Sequence, residues 1–168
     1  MNRQFNIRKV LMDNPLIPVV TFDDLSDVDS VIKHLKKSNI NCIEITLRTA
    51  ISFDAIEYVK SNYANDLLVG VGTVVNSKQV NRCVDLGVDF MISPGLTNQL
   101  VSSFNDSEIP YLPGISSVND ILNATELGCD TLKFYPAELS GGIKMLKQFN
   151  SIFPNIKFCP TGGIGLNN

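Results

Sequence analysis

The sequence predicts an α/β chain, a (β/α)8 TIM barrel that carries an extra N-terminal helix and stops before its eighth strand. Three observations lead there. Short apolar, β-branched runs start at Leu16, Cys42, Leu67, Val88, Ile109, Thr131 and Ile156, spaced 26, 25, 21, 21, 22 and 25 residues apart. Helical patterns fill the intervals, and strand alternating with helix at this period means βαβ units on a parallel sheet. The near-equal repeats contain no nucleotide-binding GxGxxG, which favours a closed barrel over an open doubly wound sheet.

Each element has its own local signal. Asn2–Asp13 reads as the extra helix, placed before the first strand and covering the bottom of the barrel. LIPVV from Leu16 is the first strand, and Leu25–Ser38 follows as a helix with Val28, Ile32 and Leu35 on one stripe. CIEIT from Cys42 precedes a second helix over Phe53–Tyr63, with Phe53, Ile56, Val59 and Tyr63 on its apolar side. After LLVGVG from Leu67, Asn76 is a suitable N-cap for SKQVNRCVDL, and Gly87 marks its end. VDFMIS from Val88 and IPYLPG from Ile109 are strands four and five. Ser116 or Ser117 together with Gly128 brackets the helix VNDILNATEL. TLKFYP from Thr131 and IKFCP from Ile156 complete seven strands. A full barrel has eight and rarely fewer than about 200 residues. The rhythm places the eighth beyond Asn168, so residues 1–168 are expected to be a single barrel domain with seven of its eight strands, a fragment.

Composition excludes several classes of function. Apolar residues make up 44% and charged residues 18%, the balance of a core-forming soluble chain rather than a disordered one. The net charge is −3, so no basic surplus exists to hold a phosphate backbone, and nucleic acid is not an expected partner. No apolar run approaches the ~20 residues that span a bilayer, and a membrane partner is not expected either. The start, MNRQFNIRKVLMDNP, has no apolar core or small-residue cleavage site of a signal peptide. Cys42, Cys83, Cys129 and Cys159 form no CxxC pair, which reads as a reducing cytoplasm. The single histidine, His34, lies in the charged helical segment DVDSVIKHLKKS and reads as a surface or half-buried helix residue. One histidine is too few for the usual catalytic zinc site, so neither a metal nor another cofactor is expected.

Two strands carry residues out of keeping with a barrel core. In Cys42-Ile43-Glu44-Ile45-Thr46-Leu47-Arg48, period-two alternation puts Glu44, Thr46 and Arg48 on one face and Ile43, Ile45 and Leu47 on the other. The polar face points into the barrel near the C-terminal strand ends, where barrel active sites are built. A structural ion pair between Glu44 and Arg48 is the alternative. In TLKFYP, Lys133 is a lone ammonium among apolar and aromatic neighbours. Burial disfavours the ammonium, and a neutral amine is the nucleophile that forms a Schiff base with a carbonyl. A lysine that snorkels to solvent is the other reading. Gly72-Thr73, Ser93-Pro94-Gly95, Pro113-Gly114 and Pro160-Thr161-Gly162-Gly163-Ile164 follow strands, and the Gly-Gly pair leaves backbone amides open to an anion.

These residues resemble the class I 2-keto-3-deoxy-6-phosphogluconate (KDPG) aldolases, whose members often also cleave 2-keto-4-hydroxyglutarate (KHG). The matching stretches are EITLRT (44–49), VGVGTV (69–74), ISPGLT (92–97), PYLPGISS (110–117), KFYPAE (133–138) and FCPTGGI (158–164), in the family's order and spacing. The resemblance implies that Lys133 is the Schiff-base lysine and Glu44 the general acid/base. Arg48 would bind the substrate carboxylate with Thr73 nearby, Pro94 and Phe134 would form pocket wall, and Thr161, Gly162 and Gly163 would hold the pyruvate and phosphate end. It further implies a metal-independent aldehyde-lyase acting on a small 2-keto acid, and a homotrimer. The family's KFFPAE is KFYPAE here. Its Gly-Gly-Ser turn after strand eight lies beyond this sequence. The rivals are another phosphate-binding barrel, an isomerase or epimerase, and a catalytically silent barrel that only binds or assembles.

Overall fold

The computed structural model describes residues 3–166. Helix α1 (Arg3–Asp13) leads into β1 (Val19–Val20), and a 3-10 turn (Leu25–Asp27) runs into α2 (Val28–Lys37). Then follow β2 (Cys42–Thr46), α3 (Ser52–Tyr63), β3 (Leu68–Gly72), α4 (Ser77–Asp85), β4 (Phe90–Ile92), α5 (Asn98–Ser107) and β5 (Tyr111–Leu112). The chain continues through β6 (Gly114–Ile115), α6 (Val118–Glu126), β7 (Thr131–Phe134), α7 (Gly142–Ile152) and β8 (Lys157–Pro160). Asn2, the first residue of the expected N-terminal helix, lies outside the described residues.

Every strand pairing is parallel, in the orders β1-β2-β3-β4-β5 and β6-β7-β8. The fifth expected strand is divided at Pro113, which has no N–H to give a neighbour. Its first half pairs β4 and its second half pairs β7, and the Pro113 carbonyl still accepts from the Lys133 amide at 2.8 Å. The segment therefore joins the two sheets into one curved wall. Among the described residues β1 and β8 each have one paired neighbour.

The helix signals are realised as capping geometry. Asn76 accepts from the Gln79 amide at 3.0 Å, and Gly87 leaves α4 at φ 61°. Of the two candidate serines it is Ser117 that caps α6. It forms a capping box with Asp120, and Gly128 follows at φ 81°. Val28 and Ile32 of the α2 stripe are fully buried, whereas His34 is exposed and bonds back to the Ser30 carbonyl.

Strand alternation divides the core into two layers. Ile43, Ile45, Val69, Val71, Leu132 and Phe134 belong to the large cluster packed against the helices. Cys42, Phe90, Ile92 and Leu112 face the interior and meet Ile7 of α1, which is fully buried. Burying an isoleucine contributes roughly 1.5–3 kcal/mol, enough to anchor a helix with a weak amphipathic pattern. Arg8 adds a polar tether, donating from Nε to Thr131 Oγ1 at 3.2 Å and pairing with Asp130 at 3.1 Å. Cys42, Phe90 and Thr131 open their strands, so α1 lies across the N-terminal strand ends and leaves the opposite rim clear.

Candidate active site

At that opposite rim the interior turns polar. Glu44 on β2 and Lys133 on β7 both point inward, and each is nearly sealed from solvent, at 3% and 5% exposure. Lys133 Nζ stands 3.4 Å from Glu44 Oε1, a buried ion pair formed across 89 residues of sequence. Thr46, next on the same face, shares a 2.7 Å hydroxyl contact with Thr21.

Glycines make the room. A side chain at Gly72 would strike the Glu44 carboxylate, so the β3 position beside it must stay bare. Gly114 is the register partner of Lys133 on one side, and a Cβ there would collide with the Pro94 backbone. Cys159 is its register partner on the other side. Removing water from Glu44 favours its neutral form. Burial accordingly holds its carboxyl above the ordinary carboxylate range, against the opposing pull of Lys133 and then of Arg48. Burial also pushes the Cys159 thiol up, with Lys133 pulling the other way.

A cavity of about 760 Å³ opens beside this pair. Glu44, Arg48, Tyr135, Cys159 and Thr161 supply its reactive side chains, Gly162 and Gly163 its loop, and Ile17, Val19, Ile92 and Leu112 an apolar wall. Arg48 is exposed and donates from Nε to Thr73 Oγ1 at 3.3 Å. Thr73 has φ 62°, an unusual backbone for a β-branched residue that costs about 1–3 kcal/mol. The Val74 amide fixes this turn by donating to the Ile92 carbonyl at 3.1 Å. Strain held where a side chain meets the site's guanidinium is characteristic of functional loops.

The loop after β8 rests on the turn after β7. Ala137 N–H donates to the Thr161 carbonyl at 2.8 Å, and Glu138 N–H donates to that of Gly162 at 3.0 Å. Gly162 and Gly163 have φ of 96° and 76°, and a side chain on Gly163 would strike Glu138.

Lys133, Glu44, Arg48, Thr73, Thr161, Gly162 and Gly163 are thus drawn to one rim. Pro94, expected as pocket wall, is half-buried with its backbone against Gly114 and is not among the residues that line the cavity. Phe134 corrects the expectation of a pocket wall: it points outward, fully buried, edge-on to Phe149 of α7 with centroids 5.5 Å apart. The reason is the strand's period of two, which turns Phe134 away from the face of Lys133.

That period brings in a residue outside the expected set. Tyr135 shares the Lys133 face, lines the cavity and sets its ring 5.2 Å from Nζ. Counting two from Lys133 identifies it. Cys159 also went unmarked, and no local signal marks it, because its place beside Lys133 depends on β7–β8 register.

The arrangement offers a shielded amine, a carboxyl able to exchange a proton beside it, and a guanidinium at the cavity mouth. Such a set can form an imine with a carbonyl and move protons around it. Among the described residues no three His, Cys, Asp or Glu side chains gather as metal ligands.

The comparisons with known proteins converge on one family. The family described as KDPG and KHG aldolase matches residues 7–168. The 2-dehydro-3-deoxy-phosphogluconate aldolase of Pseudoalteromonas atlantica is 36% identical over 99% of this chain and 77% of its own length. The KHG/KDPG aldolase of Escherichia coli (strain K12) is 35% identical over 99% and 78%. The crystal structure of KDPG aldolase from Legionella pneumophila, with pyruvate captured as a covalent carbinolamine, superposes with a TM-score of 0.90. It is 36% identical and covers 100% of this chain and 79% of that one. The chain belongs to the KDPG and KHG aldolase family.

Proposed function

We propose that this chain is a class I aldolase that cleaves KDPG to pyruvate and glyceraldehyde 3-phosphate, and KHG to pyruvate and glyoxylate, through an imine on Lys133. The observation that carries the reading is the buried Lys133–Glu44 pair, 3.4 Å apart, at the edge of the cavity. The covalent pyruvate carbinolamine in the Legionella pneumophila relative supports the same chemistry here.

In this reaction Lys133 Nζ passes a proton to Glu44, 3.4 Å away, and the freed amine attacks the C2 ketone. A C–N bond forms as the carbonyl π pair moves to oxygen, which takes up a proton from nitrogen to give a carbinolamine. Glu44 protonates the leaving hydroxyl, water departs, and a cationic iminium remains as an electron sink. The Glu44 carboxylate, or a water it holds, then takes the C4 hydroxyl proton. The C3–C4 electron pair moves into C3, the aldehyde leaves, and an enamine results. Protonation at C3 and addition of water to C2 release pyruvate and restore the amine. Arg48, in no ion pair among the described residues, is suited to grip the substrate carboxylate in bidentate fashion, with Thr73 steadying it. Thr161, Gly162 and Gly163 bound the pyruvate and phosphate end.

The same reading extends to assembly and architecture. Among the described residues β1 and β8 each pair on one side only, and with β5 and β6 counted as the two halves of one strand, one further strand between β1 and β8 would close a (β/α)8 barrel over one domain. A homotrimer accords with the family resemblance, and a cytoplasmic location with four cysteines in no disulfide. Incubation with pyruvate and borohydride, followed by peptide mapping, tests the chemistry. A reduced pyruvyl adduct on Lys133 is expected, and a folded chain without one would overturn the reading.

A further inference from the structure

Tyr135 occupies a position that the imine chemistry leaves without a task. It follows Lys133 by two residues on the inward face of the chain, further towards the cavity mouth. Its ring lies 5.2 Å from Nζ, and its edge borders Gly162, where an added Cβ would come within 3.5 Å of Cδ2. One aromatic side chain thus spans the distance between the amine and the loop at residues 161–163. Its hydroxyl bonds to no described residue, although the side chain is half-buried. Beyond Glu44 and Arg48, few side chains lining the cavity can donate a hydrogen bond: Asn14, Tyr135 and Thr161, with the Cys159 thiol as a weak donor.

We propose that Tyr135 is a specificity-determining residue, whose phenol donates a hydrogen bond to a hydroxyl carried by the aldehyde half of the substrate, beyond the bond that breaks. The inference rests on the aldolase reading. On that reading the phosphate lies at the loop of residues 161–163 and the pyruvate carbons stay at Nζ, so a substrate reaching from one to the other passes the Tyr135 ring, and its phenol is offered to the aldehyde half. A site that offers a donor to a substrate hydroxyl disfavours the analogue lacking it, because the donor is then left unpaired.

The test runs the reaction in the direction of synthesis, with pyruvate as donor and two acceptors: glyceraldehyde 3-phosphate and its 2-deoxy analogue, 3-phosphooxypropanal. The unaltered chain is expected to prefer the hydroxylated acceptor in kcat/KM, and Tyr135→Phe to reduce that preference about five- to tenfold. Borohydride trapping of pyruvate on Lys133 should stay within about twofold, since pyruvate has no aldehyde half. A normal adduct with an unchanged acceptor preference would overturn the proposal. An adduct lost only in Tyr135→Phe would also overturn it, by showing that the residue acts on the amine. An adduct absent from the unaltered chain would instead defeat the aldolase reading.

Discussion

The two faces of β7 behave as different regions of the molecule, although Lys133 and Phe134 are neighbours in sequence and both buried. Phe134 enters an apolar layer with Phe149, which in turn meets Phe158 at a centroid distance of 5.8 Å. There burial is its own reward, since removing apolar surface from water stabilises the fold and interlocking side chains leave no void. Lys133 enters a lumen where burial is unfavourable and is offset by Glu44, by the Tyr135 ring 5.2 Å from Nζ, and by space that Gly72 and Gly114 leave open. Stability is concentrated on the outer face and reactivity on the inner one, a single residue apart.

The largest effect expected from this division falls on the inner face. Lys133→Arg keeps the charge but removes the nucleophile, so cleavage should drop by at least about 10⁴-fold, near 5.4 kcal/mol of barrier. Its urea midpoint should stay close to the parent's; turnover retained in the variant would break the comparison. The converse change is Phe134→Ala, which empties the outer layer beside Phe149 and should cost about 3–5 kcal/mol in equilibrium unfolding. A loss below about 1 kcal/mol would show that the outer layer is not the stabilising one.

Glu44→Gln sharpens the comparison with a smaller change, a slowing of about 100-fold with the pyruvate adduct still trapped. An unchanged rate would favour a purely structural ion pair. The same variant should alter the pH dependence of stability. Glu44 is raised above its ordinary value of 4.5 by burial, so the folded state holds this proton to higher pH than the unfolded state does. Its contribution to stability is therefore fully present below about 4.5 and is lost as pH rises through the folded-state pKa. Relative to the parent, Glu44→Gln should gain stability as pH rises across that window, read from urea midpoints at stepped pH. A parallel pair of profiles would remove the buried carboxyl from the account.

Much of this was legible in the residues. Period-two alternation assigns Glu44, Thr46 and Arg48 to one face, and Asn76 and Gly87 announce helix ends at which the structure uses them, while the choice of Ser117 over Ser116 came from the structure. These signals are local, because the directions of successive side chains follow from covalent geometry within a few residues. Alternation also argues against Phe134 as cavity wall, where the family resemblance argues for it, and the structure sides with the alternation.

The meeting of Glu44 with Lys133, and of Lys133 with Cys159, is of another kind. So is the division of the fifth strand at Pro113 between two sheets. The sequence by itself determined which side chains turn inward and which turn outward, and so where a polar interior had to form. Which of the inward residues touch was decided only by the tertiary structure, because strand register and curvature are sums of many weak contacts across the whole wall, and no short segment encodes them.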